Sequence, residues 1–90
     1  MKIHQKKEKD LLEKLTRLGY KRSTMVSDIS EFSIRGDIAD IYTLNENPVR
    51  IEFWGDEIVD IRFFDRETQK SVKKIKSIDI LPIYKEERKW

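Results

Sequence analysis

Twice in this chain an alternating run of apolar and polar residues breaks at Gly-Asp and then resumes, at Gly36-Asp37 and at Gly55-Asp56. Alternation with period two sends successive side chains to opposite faces of a strand, and glycine accepts the positive φ of a tight turn. Two hairpins are therefore predicted, and a chain with two hairpins must build around a sheet. In Glu31-Phe-Ser-Ile-Arg35 the pattern puts Phe32 and Ile34 on one face and Ser33 and Arg35 on the other, and Ile38 to Tyr42 returns. In Val49-Arg-Ile-Glu-Phe-Trp54, residues Val49, Ile51 and Phe53 share one face and Arg50, Glu52 and Trp54 the other. The return from Glu57 to Asp65 opposes Val59, Ile61 and Phe63 to Ile58, Asp60, Arg62 and Phe64. Asn45-Glu46-Asn47-Pro48 has the turn chemistry to join the two hairpins.

Before the first hairpin the period changes. Leu11, Leu12, Leu15 and Leu18 form one stripe of an amphipathic helix, and Gly19 supplies its stop. A strand is expected within Tyr20 to Ser27, with Met25 and Val26 able to enter the core, followed by a turn at Asp28 to Ser30. Beyond the second hairpin, Arg66 to Val72 reads as turn-like and then strand-like, and Ile75 to Ile80 as one more alternating segment before Leu81-Pro82. The expected fold is α+β, a small antiparallel sheet of five to seven strands with the N-terminal helix packed on one face as a two-layer sandwich. Residues 1–9 are read as a polar tail or helix extension, 10–84 as the folded domain, and 85–90 as an exit linker.

Ninety residues suffice for one modest core, and a composition 38% hydrophobic and 40% charged gives that core a densely ionic surface. Nineteen basic against seventeen acidic residues, interspersed, leave only +2, which is no polyanion-binding field. There is no cysteine, and neither a signal-peptide apolar region nor a run long enough to span a bilayer. A cytoplasmic protein without membrane contact is expected.

Chemistry is sparse. Gly19, Gly36 and Gly55 belong to no phosphate-cradling motif, so no cofactor is expected. His4 lies in a polar segment with no triad partner in prospect. Asp37, Asp40, Asp56, Glu57, Asp60 and Asp65 could suggest a carboxylate or magnesium site, but turn positions and outward alternation make them solvated charges. Lys70, Lys73, Lys74 and Lys76 could touch phosphate, yet lack interleaved aromatics, so direct DNA binding is not expected.

Trp54 is the anomaly, an indole on the face of Arg50 and Glu52. A sheet covered on both sides would explain it, and so would a binding anchor, because Trp and Arg dominate interface hot spots. Arg35 lies on the same side of a neighbouring hairpin, so Arg35, Arg50 and Trp54 could form one patch.

Four segments together carry a resemblance. Tyr20-Lys-Arg22 after the Leu-rich helix, Glu31-Phe-Ser-Ile-Arg-Gly-Asp-Ile-Ala-Asp-Ile-Tyr42, Pro48-Val-Arg-Ile-Glu-Phe-Trp-Gly-Asp-Glu-Ile58 and Phe64-Asp-Arg-Glu-Thr-Gln69 resemble the excision-repair interaction domain. Bacterial transcription-repair coupling factors share that domain with the B protein of the excinuclease. Leu18-Gly-Tyr20, and Phe64-Asp65 followed by Thr68 to Ser71, are more similar to the coupling factors. Ser30, Thr43 and Trp54 depart from the glycine, proline and phenylalanine common in the family. The resemblance implies a non-catalytic module that recruits the excinuclease A protein to stalled RNA polymerase in nucleotide excision repair. Its contacts fall on Arg35, Arg50 and Trp54, and the chemistry of these residues leads us to expect both guanidiniums to pair with carboxylates of the excinuclease A protein while Trp54 fills an apolar notch between them. It further implies an intramolecular masking domain, and ATP and magnesium only in a motor elsewhere in the parent protein. The alternatives are the equivalent domain of the excinuclease B protein, a weak DNA-contacting module, and a spacer or regulatory domain of an unrelated enzyme.

Overall fold

The computed structural model describes residues 1–44 and 47–83. Among these the chain runs β1 (Lys2–His4), α1 (Leu11–Arg17), β2 (Lys21–Arg22), β3 (Glu31–Arg35), β4 (Ile38–Ile41), β5 (Val49–Trp54), β6 (Glu57–Phe64), β7 (Ser71–Lys74) and β8 (Ser77–Asp79). Strands β2 to β7 lie side by side in sequence order as one six-stranded sheet, and β1 pairs with β8 as a separate ribbon. Both Gly-Asp hairpins form where the sequence places them, with φ 57° at Gly36 and 62° at Gly55. The expected joining turn falls partly on Asn45 and Glu46, outside the described residues.

Helix α1 buries Leu11 and Leu15, while Leu12 is turned out of the predicted stripe. An exposed ion pair between Glu13 and Arg17, one turn apart at 2.6 Å, supports its outer face. Its end is a Schellman closure: Tyr20 N–H donates to the Leu15 carbonyl at 3.0 Å and Gly19 N–H to that of Thr16 at 3.1 Å, with Gly19 at φ 96°. Tyr20 and Leu15 then enter the same core, which they share with Ile3, Phe32, Ile51, Ile61 and Ile78. Burial pushes the Tyr20 phenol up to about 12, and its hydroxyl donates to the Leu81 carbonyl at 2.9 Å.

The structure revises four expectations. First, the sheet is mixed: β2 is only two residues long and runs parallel to β3. Lys21 N–H donates to the Ser30 carbonyl and Ser23 N–H to that of Phe32, both at 2.8 Å, and the Glu31 carboxylate ties down the connection by accepting the backbone N–H groups of Ser27 at 2.9 Å and Asp28 at 3.0 Å. The hydrogen bonds from Ser27 and Asp28 hold that carboxyl below its ordinary range. Met25 lies in this connection and is exposed, whereas Val26 is buried as expected.

Second, the N-terminal segment is neither a tail nor a helix extension. Lys2–His4 pairs antiparallel with Ser77–Asp79, Ile3 is fully buried, and the chain breaks left-handed at Asp10 before the helix starts. Lys7 bridges to Glu57, and Ile58 N–H donates to the Lys6 carbonyl at 2.9 Å, so the segment covers the part of the β6 edge that β7 leaves free. One isoleucine among polar neighbours gives no local periodicity, which is why sequence pattern alone misses this strand.

Third, the pairing of β5 with β6 shifts between Glu52 and Phe53, so that Glu52 faces Asp60 while Phe53 faces Ile58. Val59 is the extra residue, and it is exposed while Ile58 and Ile61 are buried. The bulge thus reverses the predicted face of Ile58 and Val59. Fourth, Asp40 and Asp60 are buried. They are not solvated charges, because Arg50 on the neighbouring strand pairs with Asp40, while Arg62 of the same strand and Lys74 of β7 pair with Asp60.

Ser30 takes φ 81°, a left-handed value that costs a residue with a Cβ. Ser30→Gly should therefore raise stability by about 0.5–1 kcal/mol, read as a higher midpoint in thermal unfolding. A lower midpoint would show that the serine side chain stabilises the turn by more than the strain costs.

Candidate partner-binding face

The face opposite the core is built by register. Ser33 pairs with Asp40, Asp40 with Arg50, Arg50 with Arg62, and Arg62 with Lys74, giving one polar row across five strands. The next row runs Arg35, Ile38, Glu52, Asp60, and Trp54 lies one step further along β5 opposite Glu57. Arg35, Arg50 and Trp54 therefore share one face, as period-two counting predicts. Arg35 and β5 are two interstrand spacings apart, about 10 Å, and Arg50 and Trp54 are separated by four residues, about 13 Å along the strand.

The three side chains are not equivalent. Trp54 is 78% exposed, the most exposed of the large hydrophobic residues described, so no second layer covers it. Arg35 is exposed as well. Arg50, in contrast, is committed inside the domain: Nε and Nη2 donate to the two carboxylate oxygens of Asp40 at 2.7 and 2.9 Å. Nη2 also reaches Oε1 of Gln69 at 3.3 Å, and Nη1 its carbonyl at 3.5 Å. The guanidinium lies 4.6 Å from the ring centre of Phe64, which is buried beneath it. The hydrogen bonds it donates to the Asp40 carboxylate push the Arg50 guanidinium further above its ordinary value.

Several members of this face are not apparent from the sequence. Asp40 is the counter-ion of Arg50, Gln69 and Phe64 complete its seat, and Ile38 and the exposed Glu52 stand between Arg35 and Trp54. Asp60 is shared by Arg62, at 2.5 Å, and Lys74, at 3.4 Å. The signal for Asp40 was present in part, because the Gly36-Asp37 turn sets Asp40 opposite Ser33. Its meeting with Arg50 depends on the longer connection before Pro48, whose geometry no local rule specifies.

Among the described residues no group of three or more His, Asp or Glu could hold a metal ion, and His4 is exposed on β1. No helix among them is long and apolar enough to cross a membrane.

Residues 2–85 match the UvrB interaction domain family. The chain is 44% identical over 73 residues to the transcription-repair-coupling factor of Myxococcus xanthus, an alignment covering 80% of this chain and 6% of that protein. It is 52% identical over 69 residues to the factor of Staphylococcus aureus strain MRSA252, covering 77% of this chain and 6% of that one. With the factor of Staphylococcus haemolyticus the identity is 49% over 71 residues, covering 79% of this chain and again 6% of the relative. The chain thus spans only a small part of the length of these relatives. The match extends over both hairpins, the helix and the N-terminal strand, and on it the chain belongs to the UvrB interaction domain family, in the form carried by transcription-repair coupling factors.

Proposed function

We propose that this chain is the module by which a transcription-repair coupling factor recruits the excinuclease A protein to stalled RNA polymerase, and that it docks through the charged face bearing Trp54. The observation that carries the reading is an indole 78% exposed on a charged face that also presents an exposed arginine two strands away. A large exposed aromatic ringed by charges is the make-up of an interface hot spot. Arg35 has its guanidinium available for a carboxylate of the partner, and Trp54 fills an apolar notch next to it.

Arg50 contributes differently from the simplest expectation of two equivalent guanidiniums. Its four hydrogen bonds to Asp40 and Gln69 leave one N–H for a partner. Its main part is to hold the charged surface flat and to keep Asp40 neutralised. ATP and magnesium belong, on this reading, to the motor of the whole factor, and the site of action is the cytoplasm.

Titration of the domain with purified excinuclease A protein tests the proposal. Trp54→Ala should weaken binding by about 2 kcal/mol, roughly 30-fold, while the thermal midpoint moves little because the ring is outside the core. Full affinity in this variant would sink the reading. An intramolecular mask over the same face belongs to the proposal, and its signature is tighter binding by this module than by the intact factor in the same titration.

A further inference from the structure

The core face of the sheet is not covered to its end. Helix α1 has seven residues, about 10 Å of axis, whereas β5 has six residues, about 20 Å. Where the first turn of α1 stops, a cleft of about 430 Å³ opens between Leu12 and the ends of β3, β4 and β5. Its floor is Ala39, whose small side chain leaves a notch between Ile34 and Phe53, both only half-buried. Leu12, 40% exposed, forms the opposite wall.

The rim is charged. Asp10 and Asp56 both border the cleft, and neither carboxylate has an ion pair or hydrogen bond among the described residues. Glu8, also at the rim, is already neutralised by Lys14. Lys9 is the only rim cation left, so the mouth has an excess of one negative charge on a chain whose net charge is +2.

We propose that this cleft is a second docking site, for a protein segment that inserts one bulky apolar side chain flanked by lysine or arginine. The apolar floor accepts the inserted side chain, and the two carboxylates pair with the flanking cations. The cleft opens at the hairpin end of the sheet, where Phe53 points to the core face and Trp54 away from it, with Ile38 lining its edge from the Trp54 side. Its floor is thus formed by residues other than Arg35, Arg50 and Trp54.

The test is an amide-shift titration of the isotope-labelled chain with the blocked peptide Lys-Lys-Phe-Lys-Lys, alongside versions with Glu for Lys and with Ala for Phe. The expected result is saturable shifts centred on Ile34, Ala39, Phe53 and Asp56. The Glu and Ala peptides should each bind about tenfold more weakly, as should the Asp10→Asn/Asp56→Asn variant with the lysine peptide. Each exposed ion pair is worth a factor of about two to five. Both substitutions are at solvated positions, so the unchanged fold can be checked from the same spectra. Shifts centred instead on Glu52 and Asp60, equal binding of the Glu or Ala peptide, or full affinity in the double variant would overturn the proposal. Shifts that track the concentration of the chain alone would also overturn it, in favour of self-association.

Discussion

Arg50→Ala should destabilise the domain by about 2–4 kcal/mol, because it strips a buried carboxylate of its counter-ion. Asp40 is 5% exposed and receives both arms of the Arg50 fork. Removing the fork also removes the lid over Phe64. For a domain of this size each kcal/mol is worth about 4–8 °C of midpoint, so the loss is readily seen in a thermal melt. Adding Asp40→Asn to Arg50→Ala should return roughly half of the loss, since the amide carries no charge to be left unpaired. If Arg50→Ala melts within about 1 °C of the unsubstituted chain, the Asp40 pair is worth no more than an exposed one. The consequence for function is practical. A binding defect in Arg50→Ala reports on docking only when titrated well below the lowered midpoint, whereas Trp54→Ala and Arg35→Ala report on it directly.

Gly19→Ala should be comparably damaging, at about 2–4 kcal/mol, for two reasons that add. The residue has φ 96°, where an L side chain is strained by about 1–2 kcal/mol. A Cβ there would also be 2.7 Å from the Ile83 carbonyl oxygen and 3.1 Å from the Ile83 Cβ. The backbone of Ile83 cannot retreat freely, because its N–H donates to the Leu18 carbonyl at 2.7 Å. The same substitution at Gly36 or Gly55 would meet nothing within 4 Å, so only the φ strain remains, about 1 kcal/mol. Chemical denaturation of the three alanine variants measures the difference. Equal losses at all three positions would mean that Ile83 moves aside and the close approach has no energetic weight.

The legible part of the fold is the part governed by neighbours in sequence. The two hairpins form at Gly36-Asp37 and Gly55-Asp56, the helix stops at Gly19, and Arg35, Arg50 and Trp54 fall on one face. Period-two alternation and glycine's freedom at positive φ act within a few residues, so a reader of the chain can apply them directly. The illegible part is non-local. Ile3 is placed by Ile78, at the far end of the chain, and Val59 is turned outward by a register shift that no residue type announces.

The candidate site divides in the same way. That Trp54 stands on a charged face follows from the order of residues in β5 alone, and so does the company of Arg50 and Glu52. Whether that face was bare or covered, and whether each arginine was free or already held, depended on strands brought together across the 45–48 connection and on the loop carrying Gln69. The amino-acid order determined which side of the strand each residue takes, because the pleat is local. Only the tertiary structure decided which of them has charge to offer a partner, because a counter-ion such as Asp40 is delivered by long-range register.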